Sequence, residues 1–205
     1  MKPFPPSKGL LFLISGPAGS GKTTLSQAMT HSLGPQLQRV ITSTTRAPRM
    51  EEKEGVDYHF FSKETFEEKI RACAFYEYAW VHRSYYYGSL KEDIRDPLKN
   101  NKDLLLSIDV QGAHSFRKAA NEDPLLANRL VTVFIMPPSL TKLKERLELR
   151  QQDSQSEINL RLQTAEAEVE EWPHYDYCIP SAHKSEDLAC FMSIYTAEKL
   201  RTRIE

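Results

Sequence analysis

The residues best suited to chemistry stand early in the chain. "GPAGSGKT", Gly16 to Thr23, spaces a glycine four residues from Gly-Lys-Thr, between an apolar run and an amphipathic stretch. Glycines at this spacing let the backbone curl so that its N–H groups point inward at phosphate oxygens, and the following helix adds its positive end. Gly16, Pro17, Ala18, Gly19, Ser20 and Gly21 would form the cradle, with Thr24 completing the contacts. Lys22 would reach the β- and γ-phosphates, and Thr23 would ligate Mg²⁺. The expected ligand is a nucleoside triphosphate.

A second anion site is suggested by "TSTTRAPR", residues 42 to 49. Pro48 biases Ala47 away from helix, so Arg46 and Arg49 are displayed on an extended loop. Two guanidinium forks suit a terminal phosphate, which has three oxygens to share. Taken alone, the segment reads equally as a solvated basic turn. The guanine-reading Asn-Lys-x-Asp of GTPases does not occur; "NNKD", 100 to 103, precedes an apolar run instead of following one.

These segments need a scaffold, and the pattern supplies one. Apolar runs at 10–15, 39–42, 103–108, 130–136 and 175–179 alternate with amphipathic stretches at 22–32, 90–100, 112–120, 139–150, 154–171 and 186–200. That rhythm predicts an α/β fold, a parallel sheet flanked by helices. Between 43 and 89 it gives way to aromatic alternation around one short helix at 63–71, the mark of a small β-rich insertion. "KLKERLELRQQDSQSEINLRL" then predicts two charged helices about a polar break, a hairpin able to act as a lid.

Composition narrows the function. With 205 residues the chain suits one domain, and a net charge of −1 offers no general attraction to nucleic acid or anionic lipid. Its three cysteines, Cys73, Cys178 and Cys190, have neither disulfide nor zinc spacing, which fits a reducing cytoplasm. The early apolar run "GLLFLIS" is too short for a signal core or a membrane span. The six histidines show no metal spacing.

In order along the chain, "GPAGSGKT", "TSTTRAPR", "GVDYHFF", "FYEYA", "YYYGSL" and "SIDVQG" resemble the motifs of guanylate kinase. The resemblance covers nearly the whole chain. It implies a P-loop nucleoside monophosphate kinase that phosphorylates GMP with ATP and Mg²⁺, with core 9–42, 90–140 and 172–205, acceptor region 43–89 and lid 141–171. It implies a GMP phosphate site at Arg46, Arg49, Tyr58 and Tyr87, and guanine contacts at Thr42, Glu77, Ser89 and Asp109. Asp109 would also face Mg²⁺ through water. Similarity assigns Arg146, Arg150 and Arg161 to the ATP phosphates on lid closure; ion pairing with Glu145 or Glu148 on the helix surface stays open. The implied partners are ATP, GMP and dGMP, without nucleic acid or membrane, for a monomer or small homo-oligomer.

Chemistry agrees with Glu77 as base reader. Guanine offers two donors, N1–H and N2–H₂, that one carboxylate accepts together, whereas adenine turns an acceptor at N1 toward it. A scaffold of the same family that only binds phosphopeptides would be expected to lack the intact loop with Lys22 and Thr23. Three departures from the family stand out. Ser107 replaces an acidic residue two before Asp109. One extra residue precedes "YYYG", so choosing Tyr87 over Tyr86 is a matter of register. "CIPSA", 178 to 182, is unusual near the expected adenine.

Overall fold

Leu11–Ser15 is buried at every position, as a strand covered on both faces must be. In the computed structural model, which describes residues 8–81, 84–148 and 155–202, it is the central strand β1. The other elements follow as α1 (Lys22–Leu33), β2 (Leu37–Arg39), β3 (Thr42–Thr44), β4 (Tyr58–Phe60), α2 (Lys63–Arg71), β5 (Phe75–Val81) and β6 (Tyr85–Leu90). Then come α3 (Glu92–Lys99), β7 (Asp103–Ser107), α4 (Val110–Asn121), α5 (Pro124–Ala127), β8 (Leu130–Met136), α6 (Leu140–Glu148), α7 (Gln155–Val169), β9 (Tyr177–Pro180) and α8 (Lys184–Leu200).

The first sheet has the order β2-β7-β1-β8-β9, and every pair in it is parallel. Side chains alternate across it. Leu11 and Leu13 join Leu104, Leu106, Phe116 and Phe134 in one apolar layer, beneath α3 and α4. Phe12 and Ile14 join Leu105, Val133, Met29 and Phe191 in the other, beneath α1 and α8. Truncating a fully buried member such as Leu13 to alanine would cost about 2–5 kcal/mol.

Asp103, at the start of β7, ties this sheet to the last helix. Its buried carboxylate accepts the Leu10 N–H at 2.8 Å and the Lys199 ammonium at 2.9 Å on Oδ1, and the Tyr195 hydroxyl at 2.7 Å on Oδ2.

The second sheet, β4-β3-β6-β5, is mixed: β3 and β4 are parallel, while β6 is antiparallel to both β3 and β5. Phe66 of α2 stacks on Phe75 at 4.4 Å and on Tyr86 at 5.0 Å, which seals one face. The opposite face carries the candidate site.

One expectation is corrected. "RVIT" at 39–42 is not a single strand: β2 ends at Arg39 in the first sheet and β3 begins at Thr42 in the second. Val40 is buried and its N–H still bonds Leu105 O at 2.9 Å, so the chain leaves the first sheet only after it. One β-prone run thus serves two sheets. Helix α4 also begins two residues earlier than the periodicity indicates, because Asp109 is its N-cap, accepting the Gly112 N–H at 2.6 Å.

The charged hairpin is two helices that bury Leu143, Leu147, Ile158 and Ala165 between them. Its polar break and Arg150 lie outside the described residues. Among the described residues no helix is long and apolar enough to cross a membrane.

Candidate active site

The phosphate loop joins the carboxyl end of β1 to α1, where the sheet leaves a crevice. Lys22 opens the helix, and its ammonium donates to Gly16 O at 2.6 Å and Pro17 O at 2.9 Å. The amine is therefore held over the loop by the loop's own carbonyls. Thr23 and Thr24, in the first turn of α1, are exposed. Gly19 has φ +86°, and a Cβ there would lie 3.1 Å from Leu143 Cδ1 and 3.4 Å from Leu147 Cδ2. Only glycine gives both that backbone and that approach of α6.

Arg146 of α6 donates to Ser20 O at 3.4 Å, a long bond, and lines a cavity of about 280 Å³ beside the loop. Ser181 and Asp187 line the same cavity. Asp187 accepts the Ser181 hydroxyl at 2.8 Å and the Ala182 N–H at 3.0 Å, fixing the turn between β9 and α8. Sequence reasoning drew no contact from "CIPSA", because a serine and an aspartate six apart carry no signal of their own. Arg161 is half-buried on α7 and is not among the described residues lining this cavity.

A further group was missed. Glu168, in the last turn of α7, is pushed up to about 7 by burial; the Lys22 charge opposes the shift and the Asp109 charge adds to it. It thus lies within electrostatic reach of both. Its sequence neighbours Glu166, Glu170 and Glu171 made it look like part of a solvated helix face.

On the second sheet, strand register sorts the expected acceptor residues. Glu77 opposes Ser89, Ala79 opposes Tyr87, Thr44 opposes Tyr87 and Thr42 opposes Tyr58. Alternation along β6 puts Tyr87 and Ser89 on the cavity face with Glu77, and turns Tyr86 to the opposite face against Phe66 and Trp80. A cavity of about 240 Å³ lies here, lined by Thr42, Glu77, Tyr87, Ser107 and Asp109 among others.

Glu77 is only 7% exposed and accepts the Ser89 hydroxyl at 2.7 Å on Oε1. Burial pushes its carboxyl up to about 7; the Ser89 bond opposes this, and Asp109 adds to it. A Cβ on Gly112 would fall 3.1 Å from Asp109 Oδ1 and 3.3 Å from Glu77 Oε2, so that glycine is what lets the start of α4 come so close to the carboxylate.

Farther out, Arg46 Nε donates to the Tyr87 hydroxyl at 3.3 Å, and its guanidinium lies 5.7 Å from the centre of the Tyr58 ring. The Tyr58 and Tyr87 rings meet edge to face at 6.1 Å. Arg49 is exposed. Glu52, which sequence reasoning did not single out, binds Arg46.

The donor set also fits Mg²⁺. The Thr23 hydroxyl and the carboxylates of Asp109 and Glu168 are hard oxygen donors near the loop, and no cluster of three metal-ligating side chains occurs among the described residues. Mg²⁺ in phosphotransferases takes few protein ligands and keeps phosphate and water oxygens.

The sequence model of guanylate kinase matches residues 8–190. The chain is 39% identical over 196 residues to a guanylate kinase of Bartonella quintana (strain Toulouse), covering 96% of this chain and 85% of the relative. It is 40% identical over 195 residues to one of Idiomarina loihiensis (strain ATCC BAA-735 / DSM 15497 / L2-TR), covering 95% and 89%. Its fold superposes on the crystal structure of guanylate kinase from Anaplasma phagocytophilum with a TM-score of 0.72 and 29% identity, over 96% of this chain and 89% of that one.

Proposed function

The chain belongs to the guanylate kinase family, and on that premise we propose how its own residues transfer the γ-phosphoryl group of ATP to GMP, giving ADP and GDP. The enzyme is a phosphotransferase. The observation that carries the residue assignment is Glu77, a buried carboxylate on the floor of a cavity, already bonded to a hydroxyl.

Guanine would enter that cavity with N1–H and N2–H₂ directed at Glu77. Thr42 would donate to O6, joined by Ser89 once its hydroxyl turns from Glu77, and Asp109 would close the rim. The wrong base leaves buried polar groups unpaired, a penalty that can reach about 10⁴ in discrimination. Arg46, Arg49, Tyr58 and Tyr87 would hold the phosphate that attacks. dGMP would be accepted as well, since the base and the phosphate carry the recognition.

The loop amides and Lys22 would hold the ATP phosphates, with Lys22 exchanging its bonds to Gly16 O and Pro17 O for phosphate oxygens. Arg146, with Arg150 and Arg161, would add charge from the lid as the γ-phosphoryl group moves in line. Thr23, and Asp109 through water, would hold Mg²⁺, which supplies charge neutralisation at the phosphates. The lid must also exclude water, or ATP would be hydrolysed. The adenine would lie in the cavity bounded by Ser181 and Asp187.

Three exposed cysteines without disulfides support work in a reducing cytoplasm. The active unit would be a monomer or small homo-oligomer. The test is ADP release with GMP, AMP, UMP and CMP as acceptors: turnover with GMP at least a thousandfold above AMP is expected, and comparable turnover with AMP would overturn the assignment of Glu77.

A further inference from the structure

Glu52 lies outside the residues expected to touch either nucleotide, yet it is bound on both sides by the acceptor's phosphate loop. Both its oxygens accept from Arg46 Nη2, at 2.8 and 2.9 Å, and Oε2 also accepts the Arg49 backbone N–H at 2.8 Å. The Glu52 N–H in turn donates to Arg49 O at 3.0 Å. Both side chains of the pair are largely covered, Arg46 at 14% and Glu52 at 18% exposure.

Arg46 is consequently pinned along its whole fork. Nε donates to the Tyr87 hydroxyl, Nη1 to Ala47 O at 2.7 Å, and Nη2 to Glu52. One N–H of Nη2 is shared by the two carboxylate oxygens, so of the five N–H groups of a guanidinium one on each Nη has no partner in this set. If the glutamate swings aside it gives up the Arg49 N–H as well as Arg46, so both sets of bonds must be exchanged for water at once. That N–H, aided by the Arg46 guanidinium, holds the Glu52 carboxyl below its ordinary range although burial opposes the shift.

We infer that Glu52 is the positioning residue of the acceptor's phosphate site: it couples the side chain of Arg46 to the backbone of Arg49, so that both guanidinium groups stand ready before the nucleotide arrives. This rests on the reading of Arg46 and Arg49 as phosphate ligands. Two effects oppose each other. The Glu52 charge weakens attraction for an incoming dianion, while its grip removes the side-chain entropy that Arg46 would otherwise lose on binding. The closed ring of bonds favours the grip.

The experiment is a double-mutant cycle on ATP-free protein, measuring Kd for GMP and for guanosine by calorimetry in wild type, Glu52→Ala, Arg46→Ala and the double variant. Glu52→Ala is expected to raise the GMP Kd about tenfold in the wild-type background and to leave it unchanged or lower it once Arg46 is absent. Guanosine, which lacks the phosphate, is expected to bind all four equally. An unchanged or tighter GMP Kd in Glu52→Ala overturns the inference, as does an equal rise without Arg46 or a parallel rise for guanosine. Glu52→Gln keeps the shape with one acceptor oxygen and guards against misfolding of the alanine variant; an intermediate rise is expected, and tighter binding than wild type overturns the inference. If wild type binds guanosine as tightly as GMP, the phosphate-site reading itself fails.

Discussion

Ser89 and Glu77 face each other across the antiparallel pair β5 and β6, and the serine hydroxyl donates to the glutamate at 2.7 Å. The hydroxyl sets the orientation of a carboxylate that burial would otherwise leave free to choose its rotamer. It also keeps the buried Oε1 from being an unsatisfied acceptor.

Glu77→Gln is expected to lower kcat/KM for GMP far more than for AMP. The amide presents one acceptor and one donor where two acceptors are needed, at a cost of about 2–5 kcal/mol. That is roughly 30-fold to several-thousand-fold. Parallel losses with the two acceptors would remove Glu77 as the base reader.

The affinity for guanosine should depend on pH through the same carboxylate. With Glu77 pushed up to about 7 by burial, the ionised form that accepts both guanine donors is in the minority below that pH. Binding is expected to weaken as pH falls from 8 to 5, by up to about tenfold per unit below 7, and to lose most of that dependence in Glu77→Gln. Guanosine is the right ligand because the GMP phosphate titrates near 6. A flat profile in wild type would mean the carboxylate is not the acceptor.

Lys22→Ala should abolish turnover while moving the melting temperature by no more than about 4 °C, since the bonds of its ammonium to Gly16 O and Pro17 O lie in a partly exposed loop. Arg146→Ala gives the graded version. Because Arg146 lines the cavity beside the loop, kcat is expected to fall more than GMP binding weakens. The reverse split would move Arg146 to the acceptor side.

Glu168 carries a prediction about stability. Its carboxyl is raised in the folded protein, so between the unfolded pKa near 4.5 and about 7 the native state holds a proton that the unfolded chain has released. Stability attributable to this group is therefore lost as pH rises through that window. Glu168→Gln removes the loss: its melting temperature should exceed that of wild type slightly at pH 5, early in the window, and by more at pH 8. Equal differences at both pH values would contradict the burial argument.

The phosphate loop was legible because glycine spacing, a preceding strand and a following helix act together over a few adjacent residues. The same holds for the face of β6: period-two alternation is enough to separate Tyr87 from Tyr86 once the pairing with Glu77 is known. What stayed hidden depends on residues meeting across elements. "RVIT" has the β propensity of one strand, and only the burial of Val40 and the bond to Leu105 show where one sheet ends. Glu168 lies in an acidic run that looks solvated until α7 is packed beside Lys22. Glu52 resembles any glutamate of a charged loop, because the ring of bonds around it closes only in three dimensions.

Asp103 has a bearing on synthesis. Its carboxylate is shared by the N–H of Leu10, just ahead of β1, and by Tyr195 and Lys199 of α8, so the earliest strand of the core waits for one of the latest helices. On a ribosome adding about 5–20 residues per second, the segment holding the phosphate loop emerges on the order of ten seconds or more before the helix that secures its floor. During that interval the face of β1 that carries Phe12 lacks the part of its covering that α8 supplies, and the nascent chain is open there to chaperones or to a neighbouring copy on the same message.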